Sequence, residues 1–317
     1  MLSLFPPLEP VHKRVVKVDS IHHIYFEQSG NLSGLPVLFI HGGPGSGSNE
    51  NHRRYFDPNL YHIINFDQRA CYRSTPQGET RANTTADLLA DIELIRNHLG
   101  LEQWLIFGGS WGATLALLYA QQYPARVLGM ILRGVFLARK TDREWFFQEG
   151  ANRLLPDAWD SFSSFIAPER QHNLVNAYYD CIHQGNEATA IAAATRWAIW
   201  TGTVVSWMLD TSGYNFVPDV SRMMNEVRIE THYARHDYFI EENSILNQIS
   251  RIPQAPIMII HGRRDLTCTL DSAWQLHHAL PGSELVIVRE GGHLASEAVM
   301  VNALVKATNS MAIKLKV

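Results

Sequence analysis

The sequence predicts an α/β fold, with a mostly parallel central sheet and a helical segment inserted into it. Short apolar runs recur along the chain, and each ends in a glycine-rich or acidic loop. These runs lie at residues 36–40, 62–66, 104–107, 256–260 and 284–288. Continuous apolar strands that alternate with amphipathic helices are typical of a parallel sheet covered on both faces. Ligands bind such a sheet outside the carboxyl ends of its strands.

A helix is predicted between residues 83 and 100, because apolar side chains recur there along one helical face. Asn83 or Thr84 is the expected N-cap, and Gly100 is the expected stop. A second helix is predicted near residues 271–280.

Residues 136–250 do not continue this alternation of apolar runs and helical segments. Five of the eight tryptophans gather in this stretch, at positions 145, 159, 197, 200 and 207. We therefore expect a core formed by residues 1–135 and 251–317, with residues 136–250 forming a helical cap inserted into it.

The amino-acid composition and charge indicate which class of protein this is. Of 317 residues, 46% are apolar and 18% charged, as in ordinary globular proteins, and the formal charge is −4. Without a basic stripe or a run of about 20 apolar residues, neither nucleic acid nor a membrane is an expected partner. The three cysteines are expected to be free thiols. The first residues, MLSLFPPLEP, lack the pattern of a secretory signal, so the protein is expected in the cytoplasm. The pair His232 and His236 lacks an HExxH pattern, so we expect surface histidines and neither a metal nor another cofactor.

The sequence GGSWG at 108–112 follows an apolar run and precedes a helical segment. A GxSxG motif in this context is the nucleophile elbow of the α/β-hydrolase fold, which makes Ser110 the candidate nucleophile. The alternative is a plain strand-to-helix turn.

A serine hydroxyl needs an imidazole base, and the imidazole needs a carboxylate to fix its tautomer. The order Ser, Asp, His is expected in this fold, and Asp265 and His293 each follow a predicted strand. Taken singly, Asp265 could be a turn or cap residue and His293 a solvated loop residue. The spacing of the three favours a catalytic triad.

Two backbone amides should stabilise the oxyanion that develops during hydrolysis. One is expected from Trp111, directly after the serine, and the other from Gly43 in HGGPG at 41–45. The alternative for this loop is a proline-glycine turn away from the substrate, with His41 as a brace.

With these motifs in place, the chain resembles the proline iminopeptidases, serine peptidases that remove an N-terminal proline. The likeness covers most of the chain. It rests on HGGPG, GGSWG and further motifs: FDQR at 66–69, RSTP at 73–76, NTT at 83–85, LRGVF at 132–136, WFFQEGA at 145–151, LPDAW at 155–159, RIETHY at 228–233 and HGRRD at 261–265.

The resemblance implies a substrate pocket in which cap carboxylates hold the ammonium of the substrate and apolar side chains hold its pyrrolidine ring. Glu230 matches one such acid. Phe136, Phe146 and Cys268 match positions that line the ring pocket, although ordinary core packing would also explain them.

Three departures from the family pattern fall where the substrate is recognised. Thr201 follows WxxW where the family has glutamate, which removes one expected ammonium ligand. Ala234 replaces an aromatic residue and should enlarge the ring pocket. FDQRGCGRS has become FDQRACYRS, with Ala70 and Tyr72 in place of two glycines.

The leading hypothesis is an N-terminal exopeptidase of the proline iminopeptidase type, which releases N-terminal proline from small peptides through an acyl-enzyme, with no cofactor. The second is an esterase or amidase of relaxed specificity on the same scaffold, suggested by Thr201 and Ala234. The third is a binding protein that kept the hydrolase fold without its activity.

Overall fold

The computed structural model describes residues 1–209 and 219–316; residues 210–218, within the predicted cap, and Val317 lie outside the described part. The described chain contains one eight-stranded sheet. Its strands are β1 (His12–Lys17), β2 (His23–Gly30), β3 (Leu35–Ile40), β4 (Tyr61–Phe66), β5 (Trp104–Gly109), β6 (Val127–Arg133), β7 (Ile257–Gly262) and β8 (Glu284–Val288).

Helices cover both faces of the sheet and form the layer inserted between β6 and β7. They are α1 (Thr85–His98), α2 (Trp111–Gln122), α3 (Lys140–Phe147), α4 (Pro156–Ser163), α5 (Leu174–Gln184), α6 (Glu187–Val205), α7 (Val220–Arg235), α8 (Ser244–Asn247), α9 (Leu270–Ala279) and α10 (Ala298–Lys314). Among the described residues of this connection, the regular structure is helical throughout, including short 3-10 turns.

The strand order is β1-β2-β4-β3-β5-β6-β7-β8, and the six strands from β4 to β8 in that order are parallel. The carboxyl ends of β5, β6 and β7 therefore meet at one edge of the sheet. The first two strands are antiparallel, and the sequence pattern did not locate them. The reason is visible in β1, HKRVVK, which lies at the sheet edge and is mostly exposed, so it needs no apolar run.

Apolar side chains pack on both faces of the sheet. On one face, Leu88 and Ile92 of α1 and Leu115 of α2 are buried against the strands, together with Leu276 of α9. On the other face, α10 buries a row of residues that includes Met300. Burial on both sides explains why β4, β5 and β7 are apolar without alternation.

The predicted helix at 83–100 is α1, and Thr84 is its N-cap. The Thr84 hydroxyl and the Asp87 carboxylate form a reciprocal capping box with the helix backbone. Asn83 has another role, because its side chain accepts a hydrogen bond from Tyr233 Oη at 2.8 Å and its carbonyl oxygen lies 2.9 Å from His232 Nε2. The expectation that His232 is a surface residue was wrong, since it is buried against this contact.

The helices inserted after β6 have a hydrophobic cluster of their own. Trp197 and Trp200 of α6 are fully buried there, among Phe162 of α4 and Tyr178 of α5. The ring centres of Phe162 and Tyr178 are 4.5 Å apart and nearly parallel. This aromatic packing joins α4, α5 and α6 into one layer.

Candidate active site

Ser110 lies on the sharp turn between β5 and α2. Its backbone has φ 57° and ψ −125°, a conformation that L-residues rarely adopt. Its amide donates to the Arg133 carbonyl at 2.8 Å, which ties the turn to the end of β6. Gly108 and Gly112 leave no space for a Cβ, because each packs directly on neighbouring backbone. The serine is therefore presented above the sheet edge by strained backbone, as an elbow nucleophile requires.

His293 and Asp265 form a buried pair in the loops after β8 and β7. His293 Nδ1 donates to Asp265 Oδ2 at 2.8 Å. Asp265 Oδ1 accepts from the amides of Thr267 and Cys268, each at 2.9 Å. Burial raises the pKa of the Asp265 carboxyl, but the His293 imidazole and these hydrogen bonds outweigh it, so the pKa lies below its ordinary value. An ionised Asp265 thus orients the His293 ring.

Arg133, which the sequence reasoning did not single out as functional, lies between the serine turn and the histidine. Its Nη1 donates to the His293 carbonyl at 2.6 Å and lies 3.4 Å from His293 Nε2. Ser110 and His293 line the same cavity, but no hydrogen bond joins their side chains among the described residues. In enzymes without substrate this contact is often longer than in the reacting complex. The available signal for Arg133 was its position at the carboxyl end of a strand, in LRGVF.

The loop 41–45 lies against Ser110. A Cβ on Gly42 would come within 3.3 Å of Ser110 Cβ, and Gly43 has φ 110°, with no space for a side chain beside the Gly45 amide. His41 braces this loop, since its Nδ1 donates to the Gly42 carbonyl at 2.8 Å and its Nε2 accepts from the Gln68 amide at 3.0 Å.

The other expected oxyanion donor, Trp111, begins α2 directly after the serine. Its buried indole donates to Gln68 Oε1 at 3.0 Å, and Gln68 Nε2 donates to the His41 carbonyl at 2.8 Å. Gln68 thus links the two segments that were predicted to form the oxyanion hole, which fixes their separation.

A cavity of about 900 Å³ opens above Ser110, between the sheet edge and the inserted helices. Five of the six residues assigned to the substrate pocket line it: Phe136, Phe146, Thr201, Glu230 and Cys268. The sixth residue, Ala234, is not among the described residues that line the cavity. Its side chain is buried in the hydrophobic cluster of the inserted helices. This position is contrary to the expectation that Ala234 enlarges the ring pocket.

Glu230 on α7 carries the most perturbed carboxyl of the cavity. Its Oε2 accepts a hydrogen bond from Trp197 Nε1 at 2.7 Å. Burial raises the pKa of the Glu230 carboxyl from 4.5 to about 7, and the nearby Glu226 adds to the rise while the Trp197 donor opposes it. A buried carboxylate with one neutral donor favours a cation as its next partner.

Glu226 and Arg222, which the sequence reasoning did not select, also line the cavity. Arg222 Nε donates to Glu226 Oε1 at 2.8 Å, and the Arg222 guanidinium lies 4.9 Å from the ring centre of Tyr72. Glu226 precedes Glu230 by four residues on α7, and this spacing was the signal that could have found it.

Ala70 and Tyr72 adopt backbone conformations that are unusual for residues with a side chain. Their φ angles are 59° and 46°, in the left-handed region that favours glycine. The loop is fixed from several sides: Gly78 N donates to the Ala70 carbonyl at 2.9 Å, and Ser74 Oγ donates to the Asp67 carbonyl at 2.6 Å. Tyr72 consequently projects its ring into the cavity wall from a strained position.

Two further observations concern the described part of the chain as a whole. Within residues 1–209 and 219–316, no three potential metal ligands gather into a site. No helix of these ranges is long and apolar enough to cross a bilayer.

Comparison with protein families places the chain among hydrolases. Residues 36–297 match the family described as alpha/beta hydrolase fold. A probable proline iminopeptidase of Leptolyngbya boryana is 43% identical, over 98% of this chain and 97% of that protein. A proline iminopeptidase of Xanthomonas citri is 44% identical, over 98% and 100%. One of Arabidopsis thaliana is 40% identical, over 98% and 82%.

Solved structures confirm the predicted α/β-hydrolase fold. A hydrolase from Pseudomonas aeruginosa PA01 superimposes with a TM-score of 0.65 at 14% identity, over 96% of this chain and 99% of the other. An esterase from Rhodococcus sp. ECU1013 gives a TM-score of 0.61 at 15% identity, again over 96% and 99%. At these identities the likeness concerns the fold alone.

Proposed function

The chain belongs to the proline iminopeptidase family of α/β-hydrolases, and we propose that it releases N-terminal proline from small peptides and amides. The observation that carries the proposal is the position of Glu230, which lines the same cavity as Ser110 and His293. An exopeptidase must recognise a free N-terminus, and a buried carboxylate near the nucleophile suits an ammonium. Phe136, Phe146 and Cys268 supply apolar surface for the ring of the N-terminal residue.

In the proposed mechanism, Ser110 Oγ attacks the carbonyl carbon of the first residue while His293 Nε2 takes the hydroxyl proton. The tetrahedral intermediate collapses, the C–N bond breaks, and Nε2 returns the proton to the leaving amine. Water then attacks the acyl-enzyme with Nε2 again as base, which releases the amino acid and restores the serine. Asp265 keeps Nδ1 protonated throughout, so that Nε2 is the basic nitrogen.

The developing oxyanion would accept hydrogen bonds from the amides of Trp111 and Gly43. Removal of one such donor typically costs about 3–4 kcal/mol in transition-state stabilisation. The linkage of both segments through Gln68 supports this assignment, because a preorganised donor pair needs a fixed separation.

The test compares wild-type protein with Ser110→Ala on three substrates: prolyl p-nitroanilide, its N-acetylated form, and p-nitrophenyl acetate. We expect wild type to cleave the free prolyl amide far better than the N-acetylated form, and Ser110→Ala to cleave neither while remaining folded by circular dichroism. Faster ester cleavage with no prolyl amide turnover would instead support the relaxed esterase. Failure of wild type to react with a fluorophosphonate would refute serine chemistry.

We also propose a cytoplasmic location. Cys71, Cys181 and Cys268 are free thiols, and Cys71 and Cys268 are buried. Free thiols are typical of proteins in a reducing compartment.

A further inference from the structure

Glu226 and Glu230 lie one helical turn apart on α7, and both line the cavity above Ser110. Residues four apart share one face of a helix, with Cβ atoms about 6 Å apart. One wall of the cavity thus presents two carboxyl groups that a single small cation could contact together.

Thr201, on the neighbouring helix α6, also lines the cavity, and its side chain is uncharged. The Thr201 hydroxyl donates to the Ala198 carbonyl of the same helix at 3.3 Å. Trp197, one turn earlier, holds Glu230 through its indole. The carboxylate that the family resemblance implies at position 201 is therefore missing at a point close to Glu230.

The other two acidic residues that line the cavity, Asp142 and Asp219, form hydrogen bonds within the protein. Asp142 accepts a hydrogen bond from Arg139 at 2.7 Å, with the arginine largely buried. Asp219 is the N-cap of α7, where its side chain accepts from the Arg222 amide at 3.1 Å. Asp142 is therefore held by structural contacts, and Asp219 is an exposed residue at the start of α7, eleven positions before Glu230.

The ion pair between Glu226 and Arg222, in contrast, is partly exposed to solvent. The side chain of Arg222 is 54% exposed, and that of Glu226 is 34% exposed. Pairs of this exposure contribute little to stability, so a second cation can share Glu226 at small cost. Among the described residues, Arg222 bonds to Oε1 alone, which leaves Oε2 for a ligand.

We propose that Glu226 is a specificity-determining residue that, with Glu230, binds the ammonium of the N-terminal residue, in place of a carboxylate at position 201. Arg222 orients Glu226 and is itself held beside the Tyr72 ring. The inference rests on the proposed function, because it assumes a substrate with a free N-terminus. Glu226 also raises the pKa of the Glu230 carboxyl, because two like charges on one helix face disfavour ionisation.

The test measures kcat/KM for prolyl p-nitroanilide and for its N-acetylated form, with p-nitrophenyl acetate as a substrate that has no amine. Glu226→Gln keeps the shape of the side chain and removes its charge. We expect it to lower kcat/KM for the free prolyl amide by about 10-fold, mainly through KM, since a charge-assisted bond is lost. Ester hydrolysis should not change.

The matched control is Glu149→Gln. Glu149 forms an exposed ion pair with Arg153 at the same spacing of four residues, away from the cavity. It should leave all three rates unchanged. If Glu149→Gln lowers kcat/KM for the free prolyl amide as much as Glu226→Gln does, the loss is a general effect of removing a charge from the inserted helices. That result would overturn the inference.

The double variant Arg222→Gln/Glu226→Gln separates direct binding from an indirect effect of an unpaired arginine. If Glu226 contacts the ammonium, the double variant stays as impaired as Glu226→Gln. If it regains wild-type activity, Glu226 serves only to neutralise Arg222 and the inference is wrong.

An equal loss on the free amide and the ester would also overturn it. Absence of prolyl amide cleavage by wild type would refute the proposed function, whereas normal wild-type cleavage with no selective loss in Glu226→Gln would refute the inference alone.

Discussion

Replacing Glu230 with glutamine should stabilise the fold at alkaline pH while impairing recognition of a free N-terminus. The carboxyl group is buried beside Trp197, and its pKa is raised from 4.5 to about 7. Between these values the folded protein keeps a proton that the unfolded chain releases, so stability falls as the pH rises. The glutamine side chain would have no proton to lose and could still accept the Trp197 hydrogen bond.

The size of the effect follows from the shift in pKa. A rise from 4.5 to about 7 corresponds to about 3 kcal/mol at full effect, at 1.36 kcal/mol per unit. Glu230 faces the cavity and keeps some access to water, which makes this figure an upper bound. The advantage of Glu230→Gln should therefore be close to zero near pH 4 and approach its maximum, at most about 3 kcal/mol, above pH 8.

Urea denaturation of wild type and Glu230→Gln at pH 4.5, 6 and 8 measures the difference, with similar m-values as the check on two-state comparison. Other titrating groups are shared by the two proteins and cancel in the difference. Glu149→Gln, an exposed substitution of the same type, should show no such trend. A stability difference that stays constant across this pH range would refute the reasoning, as would a Glu230→Gln protein that keeps full kcat/KM on prolyl amides.

Two further substitutions test the neighbouring groups. Asp265→Asn should lower kcat by about 10⁴-fold with the fold intact, because the imidazole would be held in the wrong tautomer, and an unchanged rate would exclude Asp265 as the orienting acid. Thr201→Glu should raise kcat/KM for free prolyl amides by about 10-fold and leave N-acetylated ones unchanged, since it adds a carboxylate beside Glu230. Equal gains on both substrates would show that position 201 does not face the ammonium.

Parts of the fold with a strong periodic signal were predictable from the sequence. The apolar strands β3, β4, β5, β7 and β8 were located to within about two residues. In β4, β5 and β7, burial on both faces imposes an apolar run, whereas the partly exposed edge strand β8 was found from its apolar residues alone. The edge strand β1 was missed because an exposed strand carries no such constraint. It pairs with β2, the next strand along the chain, across the short connection at residues 18–22.

The residues of the site also differ in whether the sequence could predict them. Ser110, Asp265 and His293 were selected from a motif and from strand spacing, and the structure brings Asp265 and His293 into contact. Arg133 was missed because its contact with His293 joins residues 160 positions apart. Glu226 was missed because a carboxylate on a helix is most often a solvated residue, and only the cavity distinguishes this one.

The left-handed loop at Ala70 and Tyr72 has a consequence for how substrate preference can change over generations. Hydrogen bonds around the loop hold its path, and a side chain as large as that of Tyr72 is accommodated at a left-handed φ angle. Tyr72 forms part of the cavity wall and lies beside Arg222. Random substitution at this single codon would therefore reshape the entrance while leaving the nucleophile in place, which makes position 72 a natural starting point for directed evolution of new substrate preferences.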